Sequence, residues 1–286
     1  MGLRISAYAK INLSLEVIGR RDDGYHEIAS ILQTVDLADT VTLRTEDGLT
    51  VECDDASLSG EGNIVWQAAA ALANHGGIAP NAHIAIEKRI PVAAGLGGGS
   101  ADAAAALRGL NRLWGLDLPE VELTSVAASL GSDVPFLLNG GTALATGRGE
   151  RVQPLSAVDG LPVLLVAPGQ TIEAKTPTLY RALGSSDFSS GAETRRLANN
   201  VAWGNLTSGD CRNAFERPAK AIFPGLADVW EKTAEIAKHP PQLSGAGPAI
   251  FCIPSDEGER NLVVEALRNT GARAYLVRAI NPASVV

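Results

Sequence analysis

Residues 95–100 read Gly-Leu-Gly-Gly-Gly-Ser, and they join a segment that alternates like a β-strand to one that is rich in helix formers. Glycine reaches backbone conformations closed to other residues, so consecutive N–H groups of a glycine loop can converge on one point. A helix N-terminus behind the loop adds partial positive charge and favours an anion. The order strand, glycine loop, helix predicts a phosphate site in an α/β protein, with Ser100 as the N-cap of the helix.

The glycine run alone leaves two interpretations open, a phosphate cradle and a plain structural turn. No lysine follows the glycines, so the run is not the G-x-x-x-x-G-K-[ST] loop. Ser100 occupies the position at which the dinucleotide-binding pattern G-x-G-x-x-G requires a third glycine, which disfavours a dinucleotide-dependent oxidoreductase. The other motifs of the chain have to decide between the two interpretations.

Composition and charge exclude several classes of protein. The net charge of -8 disfavours non-specific nucleic-acid binding, which depends on many Lys and Arg side chains. No apolar run approaches the roughly 20 residues that span a bilayer, and the N-terminal residues lack the pattern of a secretory leader. The three cysteines are far apart and suggest neither a disulfide framework nor a zinc site. We expect a soluble, cytoplasmic protein without a nucleic-acid or membrane partner.

The first half of the chain reads as strands followed by helices, with the glycine run between them. Alternation and turn residues predict strands over residues 3–8, 11–18, 41–44, 49–52, 82–90 and 143–146, the third and fourth of them joined by Glu46-Asp47-Gly48. Helix formers at helical spacing predict helices over residues 63–73, 101–114 and 120–130. A fresh strand follows Gly160-Leu161-Pro162, so we place a domain boundary near residue 155, giving domains 1–155 and 156–286.

The second half has the order of a ferredoxin-like domain. We expect strands over residues 163–167, near 241–244 and 249–253, and over 273–280, with helices over about 222–238 and 257–269. Two polar helical stretches, around residues 175–183 and 193–203, are inserted after the first strand. Without that insertion the order is β-α-β-β-α-β, which is typical of the ferredoxin-like fold.

Two charged residues are candidates for chemistry, each with an ordinary alternative. Asp133 lies in Gly131-Ser132-Asp133-Val134-Pro135-Phe136, a polar break between apolar stretches, where it is either a turn or helix cap or a catalytic carboxylate. Lys10 lies in Ala9-Lys10-Ile11-Asn12, where it is either a solvated lysine at a strand edge or a cation of an active site.

A further glycine motif, Leu243-Ser244-Gly245-Ala246-Gly247-Pro248, joins two predicted strands. One interpretation is a tight hairpin with a proline. The other is a backbone surface that approaches a ligand closely, since Gly245 and Gly247 leave no side chain in the way. Spacing alone does not separate the two.

Taken together, these motifs resemble those of the GHMP kinase superfamily. The segment Pro91–Ala104 is similar to its ATP-binding motif, and Ala9–Leu13 resembles its first motif. Ser132–Phe136 and Leu243–Pro248 complete the set, and the segment Gly19–Glu27, with Gly24-Tyr25-His26, is similar to the branch whose acceptor carries cytidine diphosphate. The resemblance extends along the whole chain in order. It implies two α/β (α+β) domains, the first like ribosomal protein S5 domain 2 and the second ferredoxin-like, with the site in the cleft between them.

The resemblance also implies an activity, namely ATP-dependent phosphorylation of the 2-hydroxyl of 4-diphosphocytidyl-2-C-methyl-D-erythritol in the non-mevalonate route to isoprenoid precursors. Mg²⁺ would be required to offset the triphosphate charge. Asp133 would be the general base and Lys10 would lie close to it and to the hydroxyl. The other implied residues bind ATP (Pro91, Gly95, Leu96, Gly97, Gly98, Gly99, Ser100 and Ala101, with Asn63 near the adenine) or the cytidine-diphosphate substrate (Asn12, Tyr25, His26, Tyr180, Gly245 and Gly247). The sequence indicates neither the oligomeric state nor the Mg²⁺ ligands.

Overall fold

A computed structural model describes residues 2–156, 158–170, 172–201, 206–237, 239–254 and 271–282. The chain forms two compact units, each assembled from separate segments. The first consists of Met1–Ala9, Leu37–Val92 and Gly97–Gly140, and the second of Lys10–Asp36, Ala93–Leu96 and Gly141–Val286. The domain boundary near residue 155 stays a prediction.

Two long strands, β1 (Leu3–Arg20) and β2 (His26–Arg44), contribute residues to both units. In the first unit β4 (Ala82–Glu87) pairs antiparallel with β2, with Thr40 opposite Glu87 and Arg44 opposite His83. β3 (Leu49–Cys53) pairs with β4 in parallel. The predicted strands over residues 41–44 and 49–52 therefore exist but are not hydrogen-bonded neighbours, because β4 lies between them.

Four helices belong to the first unit: α1 (Ile64–Gly76), α2 (Gly98–Leu113), α3 (Glu120–Leu130) and α4 (Val134–Asn139). The alanine run of α2, Ala103–Ala106, is completely buried. A Cβ at Gly109 would lie 2.1 Å from Leu43 Cδ1 and 2.5 Å from Ile5 Cδ1, so only glycine allows α2 to pack this closely against β1 and β2. Small residues thus bring α2, and with it the glycine loop, close to the sheet.

In the second unit β5 (Thr142–Gly147) pairs antiparallel with β2, with Ile28 opposite Gly147, and β6 (Arg151–Pro154) pairs with β5. β8 (Arg212–Asn213) pairs in parallel with β1 at Ser14 and Leu15. The sheet that contains these strands has the order β3-β4-β2-β1-β8, with β5 bonded to β2 and β6 bonded to β5.

A separate four-stranded sheet in the second unit consists of β7 (Pro162–Ala167), β9 (Gln242–Leu243), β10 (Ile250–Cys252) and β11 (Arg273–Arg278). Its order, β11-β7-β10-β9, is that of a ferredoxin-like sheet, which confirms the prediction. The described helices of this unit are α5 (Lys175–Arg181), α6 (Ala192–Val201), α7 (Glu216–Ile222) and α8 (Leu226–Ala237), of which α8 precedes β9. The helix predicted over residues 257–269 lies outside the described residues.

Three predictions about elements were wrong. Residues 3–8 and 11–18 form one strand, since Ala9 and Lys10 between them continue the alternation of apolar and polar residues. Most of β2 was missed, because its buried stretch from Ala29 to Val35 contains polar residues. The helix after the glycine run begins at Gly98 rather than residue 101. Within the described part of the chain, no helix has the length and apolar character needed to cross a membrane.

Candidate active site

The second part of the glycine run lies in the first unit and forms the start of α2. Gly97 is the N-cap and has a left-handed backbone, with a φ of 73°. The Ala101 N–H donates to the Gly97 carbonyl at 2.8 Å. Ser100 is the third residue of the helix, so its prediction as the N-cap was wrong. The first N–H groups of a helix have no intrahelical acceptor, and those of Gly98, Gly99 and Ser100 therefore favour an anion.

Close packing surrounds these glycines. A Cβ at Gly98 would lie 3.1 Å from Ile90 Cγ2 and 3.4 Å from Lys88 Nζ. A Cβ at Gly99 would lie 3.6 Å from Cγ2 of Ile64, the first residue of α1. The start of α1 thus lies beside the start of α2.

Asn63, which the resemblance places near the adenine, is the N-cap of α1. Its side-chain oxygen accepts a hydrogen bond from the Val65 N–H at 2.9 Å, and its side-chain nitrogen donates to the Leu58 carbonyl at 2.6 Å. Asn63 therefore fixes the start of α1 next to the glycines. Its contact with the adenine stays a prediction.

A buried charge cluster that was not predicted lies behind the glycines. The Lys88 ammonium donates to carboxylate oxygens of Asp39 and, at 2.6 Å, of Asp102. Asp39 also accepts the backbone N–H groups of Arg89 at 2.5 Å and Ile90 at 2.8 Å. Because Ile90 immediately precedes the Pro91 motif, Asp39 and Lys88 fix the chain where it enters the glycine segment.

Asp102 is the least satisfied member of this cluster. Its second oxygen is a buried atom for which the described residues provide no hydrogen-bond partner. Burial raises the pKa of Asp102 to about 7, an effect that the Lys88 ammonium opposes and the Asp39 carboxylate reinforces. Burial alone would lower the pKa of Lys88, but the two carboxylates outweigh it and raise that pKa. The sequence signal was an aspartate inside the apolar alanine run of α2.

Asp133 occupies the N-cap position of α4 and is half-buried, but its side chain makes no capping hydrogen bond. Its carbonyl accepts the Leu137 N–H at 3.1 Å, and Pro135 lies within the first turn. The side chain is therefore not explained by capping, the alternative that the sequence left open. Its role as a base stays a prediction.

Lys10 lies in the second unit and is only 3% exposed, so its interpretation as a solvated strand-edge lysine was wrong. Its N–H donates to the Leu96 carbonyl at 2.9 Å, which ties β1 to the first part of the glycine run. Its ammonium donates to Asn12 Oδ1 at 2.7 Å. The structure thus brings Lys10, Asn12 and Leu96 together, and their contacts with substrate and ATP stay predictions.

The segment 243–248 is both a tight connection and a close-packed surface. It joins β9 to β10, whose residues Leu243 and Ile250 are opposite each other. A Cβ at Gly95 would lie 2.3 Å from the Ser244 carbonyl oxygen, and a Cβ at Gly245 would lie 3.1 Å from Lys10 Nζ. Ser244 Oγ also donates to the Gly95 carbonyl at 3.0 Å. The hairpin interpretation is therefore confirmed, and the close approach of a ligand to Gly245 and Gly247 stays a prediction.

Lys175, at the start of α5, crosses the same two segments. Its ammonium donates to the carbonyls of Ala93 at 2.5 Å and Gly247 at 2.7 Å. Ala93 has a left-handed backbone, with a φ of 55°, although it is not glycine. No sequence pattern selects Lys175, because its partners are backbone atoms distant in the chain.

The predicted cytosine-binding residues lie together in the second unit. Tyr25 is 55% exposed, and the Arg148 guanidinium lies 4.7 Å from the centre of its ring. The His26 ring stacks on Tyr180, with centroids 4.5 Å apart, and Phe188 approaches His26 edge-on at 6.0 Å. Burial, and next to it the charge of Arg20, lowers the pKa of His26, which favours the neutral imidazole. Tyr180 thus orients His26. The contact of Tyr180 with the cytosine base stays a prediction.

Comparison with known proteins agrees with this geometry. A model of the N-terminal domain of GHMP kinases matches residues 63–141, and a model of the C-terminal region of GHMP kinases matches residues 195–273. A 4-diphosphocytidyl-2-C-methyl-D-erythritol kinase from Dehalococcoides mccartyi is 39% identical over 281 residues, covering 98% of this chain and 99% of the relative.

Solved structures give the same result. The crystal structure of a 4-(cytidine 5'-diphospho)-2C-methyl-D-erythritol kinase matches with a TM-score of 0.83 and 33% identity, covering 97% of this chain and 99% of that one. A homoserine kinase from Cytophaga hutchinsonii matches with a TM-score of 0.75, 98% and 96% coverage and 19% identity, which supports the fold. The glycine loop, the motifs of β1 and of residues 243–248, and these matches lead to one conclusion: the chain belongs to the GHMP kinase family.

Proposed function

We propose that this kinase transfers the γ-phosphoryl group of ATP to the 2-hydroxyl of 4-diphosphocytidyl-2-C-methyl-D-erythritol. The observation that carries the proposal is the 39% identity, over 98% of the chain, to a relative named for that substrate. The exposed Tyr25 and the oriented His26 support it, because they suit a cytosine base.

The glycine segment is assigned to the triphosphate. Free N–H groups at the start of α2 offer hydrogen bonds to phosphate oxygens, and the helix dipole favours their negative charge. The missing side chains of Gly98 and Gly99 let the loop pack against Ile90 and Ile64, which holds its backbone in place. Positioning and charge stabilisation of this kind supply most of the rate enhancement in phosphoryl transfer.

The reaction requires an oxygen nucleophile and somewhere for its proton to go. The substrate oxygen forms a bond to the γ-phosphorus while the bond from that phosphorus to the bridging oxygen of ADP breaks. We assign Asp133 as the base that accepts the hydroxyl proton, because Ser132–Phe136 resembles a motif of GHMP kinases and a carboxylate can accept a proton. Lys10, buried and held by Asn12, supplies positive charge for the reacting oxygens, and Asn12 is assigned to the substrate beside it.

The cytidine end of the substrate is assigned to Tyr25 and His26. The exposed Tyr25 ring can stack on a base. The Arg148 guanidinium lies over the same ring, 4.7 Å from its centre, and holds it by a cation–π contact. His26 is held by its stack on Tyr180, so its ring and backbone can present hydrogen-bonding groups in a fixed direction. Gly245 lies next to Lys10, since a Cβ there would be 3.1 Å from Lys10 Nζ, and we assign Gly245 and Gly247 to the substrate.

Mg²⁺ is assigned as an ion that binds together with ATP. No group of three or more His, Cys, Asp or Glu side chains in the described segments could hold a metal by itself. Mg²⁺ commonly keeps water and phosphate oxygens as ligands, so an ion that enters with ATP takes few ligands from the protein. The Ser100 hydroxyl, in the first turn of α2, would be its protein ligand, and the ion would neutralise phosphate charge.

A panel of acceptors tests the proposal. ADP release is measured with 4-diphosphocytidyl-2-C-methyl-D-erythritol, homoserine and mevalonate at equal concentrations, and we expect turnover only with the first. Asp133→Asn should keep ATP binding and lose at least about 100-fold in kcat, within the usual range for a general base. Turnover only with an acceptor that lacks cytidine would overturn the substrate assignment, and ATP binding without transfer to any acceptor would point to a nucleotide sensor.

A further inference from the structure

One face of β1 carries polar residues that are buried. Lys10, Asn12, Ser14 and Glu16 alternate with apolar residues, and each is at most 5% exposed. Such alternation normally marks a strand with one face in water. Here both faces are covered, so the polar groups depend on one another for hydrogen bonds.

The first links of this row have a defined direction. Ser30 Oγ, on β2, donates to the Ser14 carbonyl at 2.6 Å and accepts from Asn12 Nδ2 at 2.8 Å. Asn12 Oδ1 accepts from the Lys10 ammonium at 2.7 Å. Because the Ser14 carbonyl can only accept, the Ser30 proton points to it, and Ser30 offers a lone pair to the Asn12 amide. The Asn12 nitrogen therefore faces Ser30, and its oxygen faces Lys10.

The row continues from Ser14 to α6. Ser14 Oγ and Thr194 Oγ1 are 2.6 Å apart, and the Thr194 N–H donates to Glu16 at 2.6 Å. Ser189 Oγ donates to the other Glu16 oxygen at 2.7 Å. Burial alone would raise the pKa of Glu16, but the hydrogen bonds from Ser189 and Thr194 outweigh it and lower that pKa. An ionised Glu16 thus holds the start of α6 against the same face of β1.

We propose that Ser30 is a positioning residue for phosphoryl transfer, which acts by fixing the Asn12 amide so that its oxygen holds the Lys10 ammonium. The inference rests on the proposed function, because it concerns the reaction that Lys10 serves. Ser30 is completely buried and takes no part in the chemistry itself.

Removing the Ser30 hydroxyl leaves the Asn12 nitrogen without its buried acceptor. The amide can then rotate and present its NH₂ group to the Lys10 ammonium, where two donors meet without an acceptor. Lys10 then loses its fixed position. Since small displacements of catalytic groups can cost on the order of 100-fold in rate, Ser30→Ala should lower kcat by roughly 10- to 100-fold. The KM for ATP should change by less than about twofold, because the glycine loop is untouched.

The matched control is Thr233→Val. Thr233 is also completely buried, and its hydroxyl donates to the Val229 carbonyl, four residues earlier in α8. It reports the effect of losing a buried hydroxyl as such. Thermal melting gives the folded fraction of each variant, and kcat is expressed per folded molecule. If Ser30→Ala does not fold, Ser30→Cys replaces it. A cysteine fills the space of the serine side chain but forms only weak hydrogen bonds.

A double-mutant cycle with Asn12→Ala separates positioning from a general structural effect. If Ser30 acts through Asn12, Ser30→Ala should have little further effect on kcat in the Asn12→Ala background, so the two losses should not add. Additive losses, or an unchanged kcat in Ser30→Ala, would overturn the inference. Failure of the unmodified protein to phosphorylate the proposed acceptor would instead overturn the proposed function, so the two outcomes are distinct.

Discussion

Gly95→Ala is the substitution whose cost the structure defines best. Gly95 has a φ of 89°, a conformation that costs an alanine about 1–2 kcal/mol. The added Cβ would lie 2.3 Å from the Ser244 carbonyl oxygen and 2.9 Å from the Gly247 nitrogen. Both are backbone atoms, so neither can move away as a flexible side chain could. Overpacking of this kind adds about 1–3 kcal/mol, and we expect the variant to lose about 2–5 kcal/mol in all.

Gly225→Ala isolates the conformational part of that cost. Gly225 has a φ of 70°, and an added Cβ would meet nothing within 4 Å. We expect it to lose only about 1–2 kcal/mol. Chemical denaturation gives the free energy of unfolding of both variants, and a kinetic assay gives the KM for ATP. That KM should rise for Gly95→Ala alone, because the added methyl group pushes residues 95–96 away from the backbone of residues 244–247.

The result that would refute this reasoning is a Gly95→Ala variant as stable as Gly225→Ala, with an unchanged KM for ATP. It would mean that residues 95 and 244–247 are not in the close contact described. A loss of stability in Gly95→Ala without a change in its KM for ATP would support the close packing of Gly95. It would contradict the claim that this packing positions the nucleotide-binding loop.

Two further predictions concern the cytosine site and the buried cluster. Tyr25→Ala should raise the KM for the cytidine acceptor by roughly 5- to 100-fold, since base stacking contributes about 1–3 kcal/mol. Tyr25→Phe keeps the ring and should leave that KM unchanged. An equal rise in both variants would implicate the Tyr25 hydroxyl instead of its ring. The pKa of Asp102 is raised to about 7 in the folded protein, so the folded state binds this proton more tightly than the unfolded chain does. The stability that this proton contributes is fully present below about pH 4 and is lost as the pH rises through about 7. Asp102→Asn keeps the shape of the neutral acid, so its free energy of unfolding should rise relative to that of the unmodified protein between about pH 5 and pH 8. Chemical denaturation measures both free energies, and a difference between them that does not change with pH would contradict the raised pKa.

The elements predicted best were those with local signals. The alternation and spacing of residues 163–253 and 273–280 predicted the ferredoxin-like order of elements, and the strand order β11-β7-β10-β9 confirms it. The glycine run predicted a loop before a helix, but not that Gly97 would be the cap, because Ser100 had the better capping side chain. Backbone geometry outweighed that preference, since a left-handed residue at this point requires glycine.

The interactions that were missed depend on tertiary structure. Lys10, Asn12, Ser14 and Glu16 alternate like residues on a solvated strand face, and only the packing of both faces shows that they are buried. The sequence does not show that Asp39 and Lys88, 49 residues apart, meet behind the glycine loop. The motifs selected the residues of the candidate site, whereas the contacts that position them come from distant parts of the chain.

The most direct test of the central claim is to identify the phosphorylated product. The protein is incubated with ATP, Mg²⁺ and 4-diphosphocytidyl-2-C-methyl-D-erythritol, and phosphorus NMR with mass spectrometry locates the new phosphate. We predict one new phosphate monoester, on the 2-hydroxyl, formed in equal amount to ADP, and formed at least about 100-fold more slowly with Asp133→Asn. ADP formation without a phosphorylated acceptor, or a phosphate on another hydroxyl, would contradict the account.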